Sequence, residues 1–330
     1  MMKSSPLKFR APFIILALLF ALAALLSAYP STPAVAQQTT PAPSPLTSPA
    51  PALPPPTRPA PVTTLSDGTF TLEMYFSQLP QGEVGLARVF GTGITGARGR
   101  IFDQIVDFFP ADDGYYALIA AGIEQPARAY EMSIVAFAGE ATRVTFTTSI
   151  DVTIGSFIQQ NFAMNADRAF LLDANIERNE FARLESIFGT YTPEKLWGTE
   201  GFRLPINAEL TSPFGAFRTL NNTFPTRHTG WDLRAGTGTP VAAIAGGEVA
   251  FAGTLDLRGN YVVIYHGSGV YSGYAHLSQI HVTRGESIAP GQIIGVSGNT
   301  GRSNGAHLHW DMIVNGQWVD GWEFIQMWLP

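Results

Sequence analysis

The chain of 330 residues contains no cysteine. Disulfides are thereby excluded, and so are metal sites built on thiolates; a metal here must be held by histidine and carboxylate. Histidine is also missing from the first 227 residues, and all six histidines fall between His228 and His309. Charge is sparse: 14% of residues are Asp, Glu, Lys or Arg, with 20 basic against 26 acidic. Three of the basic residues (Lys3, Lys8, Arg10) lie within residues 1–36, which hold no acid, so the remainder carries 17 against 26, a net −9. A chain so short of positive charge offers no basic face to nucleic acid or to an anionic lipid surface. Helical periodicity is scarce, whereas 33 glycines and 24 prolines announce many turns and at least one linker. The length suits two domains, and 45% hydrophobic residues suffice for their cores.

What is present falls into blocks. Lys3, Lys8 and Arg10 precede an unbroken apolar run of 14 residues, Phe13 to Leu26, and Ala34-Val35-Ala36 then offers a small-x-small cleavage site before Gln37. This pattern is that of a secretory signal over residues 1–36. The alternative is an uncleaved anchor, since Ala11–Ala28 spans 18 residues, the short end for a membrane helix. Either reading places the rest outside the cytoplasm, in the cell envelope or beyond it. Residues 37–64 are rich in Pro, Ala, Thr and Ser, with Pro54-Pro55-Pro56, and form an extended, semi-rigid linker without a core.

Residues 65–155 predict a β-sandwich of immunoglobulin type. Thr69–Phe76, Glu83–Phe90, Ile101–Phe109, Tyr115–Ala121, Ala129–Ala136 and Arg143–Ile150 are short β-rich runs separated by turn signals. Gly91-Thr-Gly93-Ile-Thr-Gly96 matches the dinucleotide fingerprint by letter. The fingerprint needs a helix opening at its end, and turn and strand signals follow instead, so a flexible loop is expected. Residues 156–199 predict a short helical connector, in which Phe181, Leu184, Ile187 and Phe188 share one helix face. Thr192-Pro193-Glu194 resembles the start of a second short helix. The connector is either plain packing or a strut that covers or positions a groove.

Residues 200–330 hold 20 of the 33 glycines and predict a second all-β domain, expected to fold by itself. HTGWD (228–232) places His228 and Asp232 four apart, with Gly230 arguing for a loop entering a strand. In HLH, His307 and His309 are two apart on a predicted strand and so share a face, which Asp311 continues; Leu308 and Trp310 face the other way. Zinc suits imidazole and carboxylate, and a catalytic site keeps three protein ligands with one position open. His266, in a turn, and His281, in a polar stretch, are expected to be structural and surface residues respectively.

With TSPFG (211–215), HTGWD, GTPVAAIAGGEVAFAG (238–253), GNYVVIYHGSGVYSGYAHLS (259–278) and RGESIAPGQIIGVSGNTGRSNGAHLHWDM (284–312), residues 200–330 resemble the lysostaphin-type, or LytM-like, zinc metallopeptidases. The resemblance implies a β-sheet catalytic domain that hydrolyses peptidoglycan stem or bridge peptides. It implies one zinc per chain held by His228, Asp232 and His309, with His276 and His307 as catalytic histidines. Asp311 stands where many relatives carry Glu, which leaves its role open. The competing reading is a non-hydrolytic wall-binding or hydrolase-activating module, as in relatives that have lost ligands; the intact set here speaks against it.

Overall fold

The computed structural model describes residues 53–54 and 56–330. The expected signal at 1–36 and most of the 37–64 linker lie outside the described residues. The first strand, Thr63–Ser66, opens inside the stretch read as linker. Among the described residues, no helix is long and apolar enough to cross a membrane.

Two five-stranded sheets follow, packed face to face. One runs in the order Thr63–Ser66, Phe70–Met74, Val84–Gly91, Gly114–Ala120, Phe109–Ala111. The other runs Gln78–Pro80, Thr142–Thr153, Ala129–Ala138, Gly96–Ile101, Gln104–Asp107. Alternation makes the layer: Phe70, Leu72 and Met74 point inward to meet Met132, Ile134 and Ala136 of the facing sheet. The run Ile101–Phe109, read as one strand, is in fact broken. Phe102 and Asp103 take φ of 53° and 59°, forming the turn between Gly96–Ile101 and Gln104–Asp107. The fingerprint-like glycines are the loop entering that first strand, with no helix after them.

Strand Gly114–Ala120 is buried on both faces. Ala117 and Ile119 enter the sandwich core, whereas Tyr116, Leu118 and Ala120 join a second core with Trp310, Met312 and Phe324 of the C-terminal domain. The outer face of one sandwich sheet is thus the floor of the next domain.

That domain is built on an eight-stranded sheet. Its path is Leu210–Ser212, Gly230–Arg234, His307–Val314, Val270–Leu277, Gly259–Tyr265, Gly247–Leu255, Ser287–Ile288, with Gln317–Val319 beside His307–Val314. The last pairing is a hairpin closed by Asn315 and Gly316, both left-handed at φ 50° and 77°. Leu308, Trp310 and Met312 face the core shared with the sandwich, while His309, Asp311 and Ile313 face the opposite way.

The connector covers that opposite face. Helix α1 (Ala174–Phe188) is capped by Asp173, whose side chain accepts from the Asn175 N–H at 2.7 Å. Its buried residues are Glu180, Leu184 and Phe188, spaced four apart on one stripe. Leu184 and Phe188 pack against Tyr261, Tyr265, Tyr271 and Ile313, each contributing roughly 1.5–3 kcal/mol through burial. The second short helix expected at Thr192-Pro193-Glu194 does not form. The Thr192 N–H donates to Tyr265 Oη at 2.7 Å, its carbonyl accepts from Ser268, and Leu196 bonds to the His266 carbonyl. The domain's 265–268 turn satisfies these backbone groups, so the segment stays extended.

Candidate functional site

Strands Gly230–Arg234 and His307–Val314 run antiparallel with Asp232 directly opposite His309. Directly opposed side chains lie within contact of one another on one face of a sheet. His228 comes in from the preceding turn, held by backbone bonds from Gly215 to its carbonyl and from its own N–H to Ala216. The TSPFG segment therefore forms the seat of the first histidine. Gly230 has a steric reason: a Cβ there would lie 2.2 Å from the Trp310 carbonyl and 3.0 Å from His309 Nε2.

The three side chains meet at their tips. His228 Nε2 is 2.9 Å from both Asp232 Oδ1 and His309 Nδ1, and His309 Nδ1 is 3.0 Å from the same carboxylate oxygen. Their far ends fix their tautomers. His228 Nδ1 lies 2.7 Å from the Pro213 carbonyl, and a carbonyl only accepts, so the proton is on Nδ1 and Nε2 presents a lone pair. His309 Nε2 donates to Asp311 Oδ1 at 3.0 Å, so its Nδ1 in the neutral ring is a lone pair too. Three acceptors thus converge on one point, which is favourable only with a proton or a cation among them.

The electrostatics fit that description. Burial pushes the His228 pKa down to about 4, although Asp232 pulls against it. Burial would raise the Asp232 carboxyl, but His228 and Arg218 hold it well below the usual carboxylate range. His309 goes the other way: burial opposes its charge, yet Asp311 and Asp232 raise it above the ordinary imidazole value. Asp311 and Asp232 thus favour a proton on His309 when no metal is bound. A divalent ion would displace that proton, as metal binding to imidazole does in general. The donor set of two imidazoles and a carboxylate suits zinc-like ions, whose tetrahedral shell at ~2.0–2.1 Å puts ligand atoms about 3.3–3.4 Å apart. The present triangle, with sides of 2.9, 2.9 and 3.0 Å, is a few tenths of an ångström tighter than that spacing. Among the described residues this is the group of His, Asp or Glu side chains able to hold a metal.

His276 and His307 flank the triangle, with ring centroids 4.8 Å apart. His307 Nδ1 lies 2.8 Å from the Gly305 carbonyl, and its Nε2 is 3.5 Å from Asp232 Oδ1. His276 donates from Nδ1 to the Thr300 carbonyl at 2.8 Å. Each ring thus engages a backbone carbonyl through Nδ1, and His307 turns its Nε2 towards Asp232. Burial, then His307 and His309, hold the His276 pKa well below the usual imidazole value. Strict alternation would send His276 to the same side as Tyr274, away from the site. Its left-handed φ of 59°, next to a register shift in the pairing with Gly259–Tyr265, re-aims it.

Three further residues hold the site, and no local spacing in the sequence marks them. Arg218 Nη2 donates to the second oxygen of Asp232 at 2.6 Å and to Ser212 Oγ at 2.7 Å. Arg258 Nε donates to Asp311 Oδ2 at 2.9 Å, and Glu180 of α1 faces the same guanidinium at 3.2 Å. Asp311, whose role was open, is fully occupied: it accepts from His309, Thr229, Arg258 and Tyr261. His266 is buried, with one nitrogen on the Gly246 carbonyl and the other on Ser272, and His281 is exposed; both lie outside the site. The groove over the triangle has a volume of about 480 Å³, and Gln160, Phe162, Met164 and Phe181 of the connector form part of its wall.

Two histidines and an aspartate offering converging lone pairs on a β-sheet are a donor set for a divalent metal. Residues 226–321 are a peptidase family M23 domain. The chain is 45% identical over 93 residues to a peptidoglycan DD-endopeptidase, ShyA, of Vibrio cholerae, covering 28% of this chain and 22% of that protein. It is 41% identical over 116 residues to the DD-carboxypeptidase/endopeptidase Mpg of Neisseria meningitidis, covering 35% of this chain and 26% of that one. The chain thus spans about a quarter of the length of these relatives. A crystal structure of an M23 peptidase from Pseudomonas aeruginosa shares the fold, with TM-score 0.56 and 23% identity, over 76% of this chain and 96% of that one.

Proposed function

We propose that the chain is an exported zinc endopeptidase that hydrolyses stem or bridge peptides of bacterial peptidoglycan. One observation carries this reading: Asp232 Oδ1, His228 Nε2 and His309 Nδ1 converge within 3.0 Å while the far nitrogens of both histidines are committed as donors. The likeness to ShyA, a peptidoglycan DD-endopeptidase, supports peptidoglycan as the substrate class. The composition of residues 1–36 supports export to the envelope or the medium, with membrane contact only if that segment stays attached.

Zinc held by His228, Asp232 and His309 would act as a Lewis acid on a carbonyl and acidify water at neutral pH. The chain's own residues supply the rest. His276 and His307, each with Nδ1 engaged by a backbone carbonyl, line the groove beside the ligands and would use Nε2 to take or return a proton. Arg218 fixes the carboxylate plane of Asp232, leaving Oδ1 to the metal position. Gly305 and Thr300 carbonyls hold the two histidine rings so that neither swings away between proton transfers.

The test is digestion of defined cross-linked muropeptides with the full chain, with and without a chelator. Conversion of dimers to monomers with uptake of one water, abolished by chelation and restored by zinc, is the expected result. A protein that binds zinc and sacculi but releases no product would be the non-hydrolytic module instead.

A further inference from the structure

We infer that Glu180 of the connector helix is a positioning residue for His309 and His276, so that the metal centre is completed from outside the M23 domain. The inference rests on the zinc-site reading above. The family match begins at residue 226, and Glu180 lies well before it, on α1.

Two limbs start at this one carboxylate. In the first, Glu180 Oε1 accepts from Arg258 Nη1 at 3.2 Å, Arg258 Nε donates to Asp311 Oδ2 at 2.9 Å, and Asp311 Oδ1 holds His309 Nε2 at 3.0 Å. In the second, Glu180 accepts the backbone N–H groups of Leu257 at 2.6 Å and Arg258 at 3.2 Å. The carbonyl of Arg258 then takes the N–H of His276 at 2.8 Å, beside the left-handed turn that aims that ring. The side chains of Glu180, Arg258 and Asp311 are 2%, 7% and 0% exposed, so water cannot replace a missing partner.

The geometry says what fails when Glu180 loses its charge. Arg258 Nη2 donates to Thr229 Oγ1 at 3.0 Å and stands 3.5 Å from Asp311 Oδ1, a long contact, while Glu180 holds Nη1 on the other side of the guanidinium. Released, the guanidinium closes on Asp311 as a bidentate fork. It then competes with His309 for Oδ1, the oxygen that fixes the ligand's ring and tautomer. Partners of this kind typically change metal affinity by about 10–100-fold. A buried ion pair kept for stability alone would be a poor choice, since apolar packing serves as well.

The full chain is compared with Glu180→Gln and with Leu184→Ala, which removes a fully buried residue of the same helix face. Zinc Kd is measured by competition with a chromogenic chelator, beside the Tm of the metal-free protein. Glu180→Gln is expected to weaken zinc by about 10–100-fold. Leu184→Ala is expected to lower Tm and leave zinc Kd unchanged. Equal zinc Kd in wild type and Glu180→Gln, or equal weakening in both variants, overturns the inference. If the glutamine variant does not fold, the same comparison is read on Glu180→Asp, whose shorter arm lengthens the contacts to Leu257 and Arg258. A wild-type chain that takes up no zinc defeats the metal-centre reading itself, and the readout needs no substrate.

Discussion

His307 and His309 stand two residues apart on one strand, yet their replacement by alanine is expected to have opposite signatures. His309 donates a ring nitrogen to Asp311 and turns the other into the triangle with His228 and Asp232. Dividing the ~10–16 kcal/mol of a four-ligand zinc site among its ligands gives about 2.5–4 kcal/mol each, or roughly 10²–10³-fold in Kd. His309→Ala also leaves the buried Asp311 short of a donor, so the loss should sit at the upper end. His307 is more open, its Nδ1 rests on the Gly305 carbonyl, and its Nε2 is 3.5 Å from Asp232. His307→Ala should therefore keep about one zinc per chain while turnover on muropeptides falls by the acid–base factor, about 10²–10⁴. His276→Ala should behave like His307→Ala, and His228→Ala and Asp232→Ala like His309→Ala. Zinc content by mass spectrometry beside turnover reads all five. An empty His307→Ala protein alongside a zinc-loaded His309→Ala protein would reverse the assignment, and five loaded, active variants would move the site elsewhere.

Arg218→Ala removes a charge-assisted bond to Asp232, worth about 1.5–3 kcal/mol, and zinc titration should show Kd weakened about tenfold or more; an unchanged Kd would make Arg218 dispensable to the ligand. His266 is held neutral by burial, with its pKa near 4 against an ordinary 6.5. The unfolded chain therefore binds a proton that the folded one refuses as pH falls from 6.5 to 4, which removes about 3 kcal/mol of stability across that window. Urea unfolding of the metal-free protein at several pH values should show this loss reduced in His266→Gln; parallel wild-type and variant curves would contradict it. A 200–330 fragment loses Leu184 and Phe188 packing, roughly 1.5–3 kcal/mol each. It also leaves Arg258 without Glu180, about 3–5 kcal/mol more. Such a sum rivals the whole stability of an ordinary domain, so the fragment should unfold in far less urea than one that begins before α1. Equal midpoints would show that the domain stands alone.

The residues that the structure brings together were candidates in the sequence: His228 and Asp232 in HTGWD, His307 and His309 in HLH on one face of a strand, and His276 through the family resemblance alone. Two apart on a strand is one face, and His309 and Asp311 do share it. What stayed hidden depends on distant pairings. Arg218 meets Asp232 from the hairpin of strands Phe217–Leu220 and Phe224–Arg227, and Glu180 reaches Arg258 from a helix whose apolar stripe gave no hint that a carboxylate lay within it. The turn at Phe102–Asp103 was missed because no glycine, proline or asparagine marks it. The expected helix at 192–194 failed because local capping signals are weaker than the hydrogen bonds the 265–268 turn offers. The run Tyr115–Ala121 could be read as a strand, but not the reason both of its faces are apolar.

That double burial bears on engineering. Tyr116, Leu118 and Ala120 fill the same core as Trp310 and Met312, whose neighbours along the strand are His309 and Asp311. A chimera that replaces the sandwich with an unrelated module, joined only at the connector, would strip that floor away and leave the back of the His307–Val314 strand facing water. Module exchange in this protein therefore has a cutting point set by packing. The graft must retain Gly114–Ala120 and its paired strands, or supply a replacement face of the same shape.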